Sequence, residues 1–261
     1  MFKCCSLYSG SSGNSFFITT DHTNILIDAG VSSKKIIDAL SSFDKHITEI
    51  DAILVTHEHI DHTKSVALLS SKFDIPVFAT KKTWNVLESS KIKENNIKIF
   101  DVEKEFQIKD LTILPFSTPH DAADPCGFKI SKDDKTMCIA TDLGYVSSNI
   151  YKHFESSSLL MIESNYDPDI LKISSYPYKL KQRIKGDLGH LSNSNAGETI
   201  SKLSSCNLKN AILIHLSKEN NLPELALTTI KEELEKNNVN ISNINIEVAP
   251  RNNPSSFFNI S

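Results

Sequence analysis

Asp51-Ala-Ile-Leu-Val-Thr56 is followed without interruption by His57-Glu-His-Ile-Asp-His62. The first part is a short apolar run, which is typical of a buried strand. The second part places three histidines and an aspartate within six residues. Imidazoles and a carboxylate suit Zn²⁺, Mn²⁺ or iron, and structural roles rarely require such a cluster. The stretch therefore predicts a metal site directly after a strand.

The spacing inside this cluster favours two metal ions over one. His57 and His59, two residues apart, can point in the same direction from an extended loop. Asp61 and His62 begin the next turn and point elsewhere. One ion cannot easily bind all four side chains, whereas two adjacent ions can.

Three further apolar runs each end in another potential ligand. Leu111–Pro119 precedes His120, Met137–Thr141 precedes Asp142, and Asn210–Ile214 precedes His215. Each run predicts a strand, and loops at strand ends bring together side chains that are far apart in sequence. We therefore expect these three side chains to join the first cluster.

The order of these residues resembles the metallo-β-lactamase superfamily of metallohydrolases. Softer motifs resemble its YycJ/WalJ group of bacterial exonuclease-like members, and the resemblance extends from about residue 4 to about residue 251. Tyr166 is a departure, because the resemblance leads us to expect a histidine there. The softer motifs are Ser9-Gly-Ser-Ser-Gly-Asn-Ser15, Ile27-Asp-Ala-Gly30, Thr118-Pro-His-Asp-Ala122, Glu163-Ser-Asn165, Gly189-His-Leu-Ser-Asn193 and Val248-Ala-Pro-Arg251.

The resemblance implies an α/β fold, the αββα four-layer sandwich, with residues 1–261 forming a single hydrolase domain. The alternation of predicted strands and helices suits two packed sheets with helices outside. A weak internal repeat agrees with a fold made of two duplicated halves. Ile25-Leu-Ile-Asp-Ala-Gly30 resembles Cys138-Ile-Ala-Thr-Asp-Leu-Gly144, and both pair a strand end with Asp-x-Gly.

The resemblance also implies how two divalent ions, zinc or manganese with iron as an alternative, would be held. One site would take His57, His59 and His120, the other Asp61, His62 and His215, and Asp142 would bridge them. A bridging water would then lose much of its pKa and attack as hydroxide, with Asp61 counted among the catalytic residues.

Candidate substrate-binding residues lie in three places. Asn14, in a glycine-serine loop, and Asn165 both come from the softer motifs. The glycine-serine loop would have the same sequence if it were only a tight turn. From Lys172 to Lys185 the chain is basic, lacks acidic residues and includes two tyrosines, so it could follow a phosphate backbone or be a solvated surface loop. Its candidate contacts are Lys179, Lys181 and Arg183.

His190 and Asp28 have two interpretations each. His190 could donate a hydrogen bond to a phosphate or to the leaving oxygen, or it could brace its loop. Asp28 could orient a ligand or form a turn at the end of a strand.

Three other residues have no predicted role in the site. His46 and His153 have no ligand-like neighbours and are expected at the surface, and burial is the favoured explanation for Cys126.

Composition bounds the possibilities without deciding among them. The chain has 261 residues, 39% of them hydrophobic, and a net charge of −4, which neither supports nor excludes a nucleic-acid partner. No stretch approaches the ~20 apolar residues of a membrane span, and the N-terminus lacks signal-peptide features. Five cysteines without a Cys-x-x-Cys pair favour reduced thiols and a cytoplasmic location.

Three functional classes remain open at this stage. The first is a dinuclear phosphodiesterase acting on nucleic acid, DNA more readily than RNA, and the resemblance implies exonucleolytic cleavage from a 5′ end. The second is a hydrolase of a small substrate such as a cyclic phosphodiester, lactone or thioester, which a closed neutral pocket would favour. The third is a di-iron redox protein, for which a carboxylate in place of His59 and a flavin domain would be expected, and the sequence shows neither. A regulatory protein that merely retains metals would fit the same ligands.

Overall fold

The computed structural model describes residues 1–261 as two seven-stranded mixed sheets. The first sheet has the strand order β14-β1-β2-β3-β4-β5-β6, and the second has the order β13-β12-β11-β10-β9-β8-β7. The strands are β1 (Phe2–Tyr8), β2 (Ser15–Thr20), β3 (Asn24–Ile27), β4 (Ala52–Leu54), β5 (Val77–Thr80), β6 (Ile97–Phe100), β7 (Phe106–Ile108), β8 (Leu111–Ser117), β9 (Cys126–Lys132), β10 (Lys135–Ala140), β11 (Leu159–Glu163), β12 (Asn210–Ile214), β13 (Asn245–Val248) and β14 (Phe258–Asn259).

Nine α-helices accompany the sheets. Short 3-10 turns occupy Ile47–Glu49, Glu94–Asn96 and Ile241–Asn243. The longest helix has 14 residues, and no helix combines the length and apolarity needed to cross a bilayer. The helices are α1 (Ser33–Ser41), α2 (Ile60–Thr63), α3 (Val66–Phe73), α4 (Lys81–Val86), α5 (Ser148–Glu155), α6 (Pro168–Ile173), α7 (Tyr178–Lys185), α8 (Asn193–Leu203) and α9 (Pro223–Lys236).

Strand periodicity divides the core into three layers. In β2, Phe16 and Ile18 join a cluster shared by both sheets, whereas Phe17 between them joins a cluster under the helices of the first sheet. Alternate residues of a strand face opposite sides, so one apolar strand can serve two layers. A third cluster packs α5, α8 and α9 against the second sheet. The expected α/β four-layer sandwich is confirmed.

The two halves repeat one arrangement that places an aspartate. Strands β3 and β10 each pair antiparallel with the preceding strand and parallel with the next one in their sheet. Each is followed by an aspartate with a left-handed backbone, Asp28 at φ 60° and Asp142 at φ 54°. Such a backbone turns the chain sharply where the strand ends, and aspartate tolerates it better than most residues.

The strands that were expected to carry ligands are present, and β12 has the expected bounds. The chain after β4, β8, β10 and β12 supplies the His57–His62 cluster, His120, Asp142 and His215. Helix α2 begins directly after His59, so the backbone changes from extended to helical between the two pairs of the cluster. This change points the two pairs in different directions, as the spacing predicts.

Candidate metal centre

Three imidazoles converge on one point at the ends of β4 and β8. His57 Nε2 lies 3.1 Å from His59 Nδ1, and His59 Nδ1 lies 3.3 Å from His120 Nε2. Nitrogen ligands 2.0–2.1 Å from a tetrahedral zinc ion lie about 3.3–3.4 Å apart. The three donors therefore fit a single divalent ion.

A second group of donors lies beside the first. His62 Nε2 is 3.5 Å from Asp61 Oδ2, and both can share an ion with His215 because all three donors lie within 4.8 Å of one another. Imidazole nitrogens together with a carboxylate oxygen form a donor set that suits zinc, manganese or iron. The residues present thus fit a second ion as well.

The Asp142 carboxylate reaches both groups. Its Oδ1 lies 3.6 Å from His120 Nε2 and 3.4 Å from His215 Nε2, while Oδ2 lies 3.0 Å from His62 Nε2. The side chain is almost fully buried. Asp142 is therefore placed where a bridging ligand would have to be.

Hydrogen bonds from the far side of three of the rings aim their nitrogens at this centre. His62 Nδ1 lies 2.7 Å from Asp28 Oδ2, His57 Nδ1 lies 3.0 Å from Thr56 Oγ1, and His120 Nδ1 lies 3.0 Å from the Gly189 carbonyl. Such outer contacts select the tautomer and orient the ring. The alternative roles left open for Asp28 both apply, because it forms the turn and also orients a candidate ligand.

Burial and neighbouring charges shift the pKa values of the candidate ligands in different directions, and Asp142 and Asp28 raise the pKa of His62 well above its usual value. Burial lowers the pKa of His57 well below its usual value and also lowers that of His215, so both rings are neutral at pH 7. Burial alone would raise the pKa of Asp142, but the neighbouring His215 and His62 outweigh it and hold that pKa well below its usual value. Neutral imidazoles and an ionised carboxylate are the forms that bind metal ions.

The metal loop lies in close contact with Gly30 and with Asn14 of the glycine-serine loop. A Cβ at Gly30 would lie 1.6 Å from the Asp61 carbonyl oxygen, so only glycine allows this approach. Asn14 receives a hydrogen bond from Gly10 N, and its Nδ2 lies 3.1 Å from His62 Nε2. Asn14 is fully buried and braces the loop, and its contact with substrate stays a prediction.

His190 lies at the edge of the centre and is held by Glu163, for which the sequence predicts no contact with His190. Its Nδ1 lies 2.8 Å from Glu163 Oε1, and Glu163 Oε2 also accepts hydrogen bonds from the amides of Leu143 and Leu191. Burial would lower the pKa of His190, but the Glu163 carboxylate outweighs it and raises that pKa to about 9. Glu163 belongs to the Glu163-Ser-Asn165 motif, but the sequence separation between Glu163 and His190 gives no sign that they are in contact.

The basic segment folds as helices α6 and α7 with a small apolar core rather than as a loop. Tyr166, in place of the expected histidine, packs in this core with Leu171 and Ile184. Lys179 is exposed, but Lys181 Nζ donates to the carbonyls of Lys172 at 2.8 Å and Ser174 at 2.7 Å.

Arg183 ties this segment to the metal loops. Its Nε and Nη2 donate to the two carboxylate oxygens of Asp121, at 2.5 Å and 2.9 Å. Asp121 follows the candidate ligand His120 directly. Arg183 therefore positions the segment over the centre, while Lys179 is the member of the selected trio that keeps a free ammonium group.

The remaining sequence predictions have mixed outcomes. Asn165 is buried and donates from Nδ2 to the His215 carbonyl at 2.9 Å, yet it also lines the cavity beside His190. Cys126 is buried, as expected, and His46 is exposed. His153 was expected at the surface, but its ring is half-buried and stacks on Phe116.

Similarity to known proteins agrees with this geometry. Residues 23–216 match the model of the β-lactamase superfamily domain. The exodeoxyribonuclease WalJ of Streptococcus pneumoniae is 41% identical over 237 residues, which cover 89% of this chain and 88% of that protein. The chain belongs to the metallo-β-lactamase superfamily. Within it, the chain is WalJ/YycJ-like, as the softer motifs predicted.

Two further relatives extend the comparison. The exodeoxyribonuclease YycJ of Bacillus anthracis is 34% identical over 232 residues, covering 88% of each chain. The metallo-β-lactamase-fold protein YhfI of Bacillus subtilis superposes with a TM-score of 0.74 at 15% identity, covering 97% of this chain and 98% of that one, and shows the shared fold. Membership in this hydrolase superfamily makes the chain a metal-dependent hydrolase.

Proposed function

We propose that this protein is a dinuclear metal-dependent phosphodiesterase that removes nucleotides from an end of DNA. The observation that carries the proposal is the pair of adjacent donor groups joined by the Asp142 carboxylate. Two relatives that share most of the chain are named exodeoxyribonucleases, which favours DNA over other phosphodiesters. The resemblance further favours attack from a 5′ end. The core shared by both sheets supports one catalytic domain over residues 1–261.

We assign the ions to the two donor groups described above. One would be held by His57, His59 and His120, the other by Asp61, His62 and His215, and Asp142 would contribute to both. When bound, two divalent ions supply a water that is acidic enough to attack at neutral pH, and they offset charge on the phosphate. The Asp61 side chain is 23% exposed, so we also assign it a hydrogen bond from the attacking water.

His190 is assigned to the phosphate or the leaving oxygen. Glu163 occupies its Nδ1, which leaves Nε2 for a substrate atom, and the ring lines a cavity at the edge of the centre. A hydrogen bond or a proton from this position would stabilise charge that develops as the P–O bond breaks. Glu163 then acts as the positioning residue that fixes the ring.

The surface around the centre favours a polyanion over a small neutral substrate. The cavity beside His190 contains Arg183, Lys218 and Arg251 but only one carboxylate, that of Glu219. Exposed lysines of α7 continue this basic surface away from the centre. A nucleic-acid backbone gains from such a surface, whereas a lactone or thioester does not.

The decisive experiment is a cleavage assay on end-labelled nucleic acids. Protein reconstituted separately with Zn²⁺, Mn²⁺ and Fe²⁺ is incubated with single- and double-stranded DNA and RNA, each labelled at the 5′ or the 3′ end. We expect mononucleotides to be released from one labelled end of DNA. Cleavage of small chromogenic esters alone, with every polynucleotide left intact, would replace this proposal with the small-substrate hydrolase.

A further inference from the structure

One cavity next to the metal centre is lined by Lys218 and Arg251, two cations that form no ion pair. It has a volume of ≈ 300 Å³, near the lower limit of ligand sites. His190 and Asn165 form its wall toward the centre, and Ser11, Lys218 and Arg251 lie elsewhere on its lining. A group that binds here would be adjacent to the reacting phosphate.

Arg251 is the least satisfied charged group of this cavity. Its Nη2 donates to the Leu216 carbonyl at 2.5 Å, while Nη1 is buried and has no hydrogen-bond partner. A Cβ at Gly10 would lie 2.3 Å from Nη1, so the glycine allows the guanidinium to lie against the backbone of the glycine-serine loop. A buried guanidinium nitrogen without an acceptor is costly, and an anion in the adjoining cavity would offset the charge of this guanidinium.

Arg251 and Lys218 also lack carboxylate partners. Neither forms an ion pair, and Glu219 affects Arg251 only through longer-range attraction. Arg183, the third cation of the cavity, is different because Asp121 occupies its guanidinium. The cavity therefore contains two positive charges outside any ion pair, and Glu219 is the one carboxylate on its lining.

The glycine-serine loop adds neutral donors to the same cavity. Ser11 and Ser12 are exposed and line it, and the backbone N–H groups of both make no hydrogen bond within the protein. Successive free amides in a turn form a concave site that binds anions. Free amides, hydroxyls and two unpaired cations together form a site that suits an oxyanion.

We propose that this cavity binds the terminal phosphate monoester of the nucleic-acid substrate and so makes the enzyme select chain ends, an inference that rests on the proposed function. A monoester carries a charge of about −1.5 to −2 at pH 7, whereas an internal diester carries one. Two unpaired cations match the monoester better than an internal phosphate. Recognition of a terminal group beside the catalytic centre also explains why cleavage would begin at an end.

The test compares oligonucleotides of one sequence that end in a 5′-phosphate, a 3′-phosphate or hydroxyls only. We expect the metal-loaded enzyme to prefer one phosphorylated end, with kcat/KM about tenfold or more above that for the hydroxyl-ended strand. Lys218→Ala and Arg251→Gln should bring this ratio close to one, and Arg251→Lys should retain part of it. Since the ratio is measured within one protein, a loss of folded enzyme cancels.

Lys98→Ala serves as the matched control, because Lys98 is an exposed lysine on the edge strand β6 of the first sheet. It should keep the wild-type ratio. A wild-type enzyme that ignores the terminal phosphate would overturn the inference, as would variants that keep the preference or lose activity equally on all three strands.

Failure of the proposed function gives a different result. Neither the wild-type protein nor any variant would then cleave an oligonucleotide. Binding of the same oligonucleotides, measured by fluorescence anisotropy, then tests the cavity. Discrimination between phosphate and hydroxyl ends that disappears in Lys218→Ala supports the site, and discrimination that persists overturns it.

Discussion

Asp28 Oδ2 lies 2.7 Å from His62 Nδ1, and both side chains are fully buried. The same carboxylate accepts hydrogen bonds from Thr56 N at 2.9 Å and Thr56 Oγ1 at 2.8 Å. One aspartate at the end of β3 thus holds the entry to the His57–His62 loop and orients a ring within it. The candidate metal centre is therefore shaped by a carboxylate that lies outside both donor groups.

Asp28→Asn should weaken metal binding without unfolding the protein. Asparagine has the same shape and tolerates the left-handed backbone at this position, but it removes the charge beside His62. Loss of such an outer partner typically lowers metal affinity about 10–100-fold. Competition with a chelator measures the change, and Asp38→Asn, at an exposed position on α1, is the control. An unchanged affinity in Asp28→Asn would make Asp28 a turn residue only.

The purified protein should contain two transition-metal ions per chain, and removing them should lower its melting temperature. Ions that bind only the folded state stabilise it, by about 2.7 kcal/mol at a hundredfold excess over Kd. His59→Ala and Asp142→Ala should each lose hydrolysis while remaining folded by circular dichroism. Elemental analysis that finds at most one ion after Zn²⁺ or Mn²⁺ addition, or full activity in either variant, would contradict the assignment.

Ligand positions could be predicted from the sequence because each depends on a short local pattern. An apolar run followed by a histidine or aspartate reports a strand end, as Asn210–Ile214 before His215 shows. The topology then brings such ends to one edge, since neighbouring parallel strands end on the same side.

Pairings between distant segments could not be predicted in this way. Glu163 and His190 are 27 residues apart, and their contact depends on how α6 and α7, with their own small core, return the chain to the end of β11. The fixed roles of Lys181 and Arg183 have the same origin, because composition cannot distinguish a lysine that caps carbonyls from one that faces solvent. Burial of Asn14 follows from the close approach at Gly30, which no local pattern reveals.

The free lysines of α7 should contribute to polynucleotide binding. Lys179 and Lys185 are exposed and form no ion pair, unlike Arg183, so their joint replacement by alanine removes charge without breaking a structural contact. Each lost phosphate contact should reduce the log–log salt slope of binding by about 0.7–0.9. The slope is measured by titrating DNA at several salt concentrations, with a minimal chromogenic phosphodiester as the control substrate. Equal losses on both substrates would indicate a structural segment.

His190→Ala should keep both metals yet turn over slowly. The ring stands beside the donor groups, and a group that acts on the leaving oxygen contributes chiefly in the transition state, so kcat should fall more than KM rises. General acid assistance is typically ~10²–10⁴-fold. Glu163→Gln should reproduce part of this loss, because the amide keeps the size of Glu163 but not the charge that orients Nδ1.

A substrate with a better leaving group distinguishes this role from a structural one. If His190 assists departure of the leaving oxygen, the loss in His190→Ala should shrink on a nitrophenyl phosphodiester, whose leaving group needs no proton. A loop brace would lose the same factor on both substrates. Metal content measured in parallel completes the test, because loss of an ion from His190→Ala would make His190 a ligand and would contradict the division of the site proposed here.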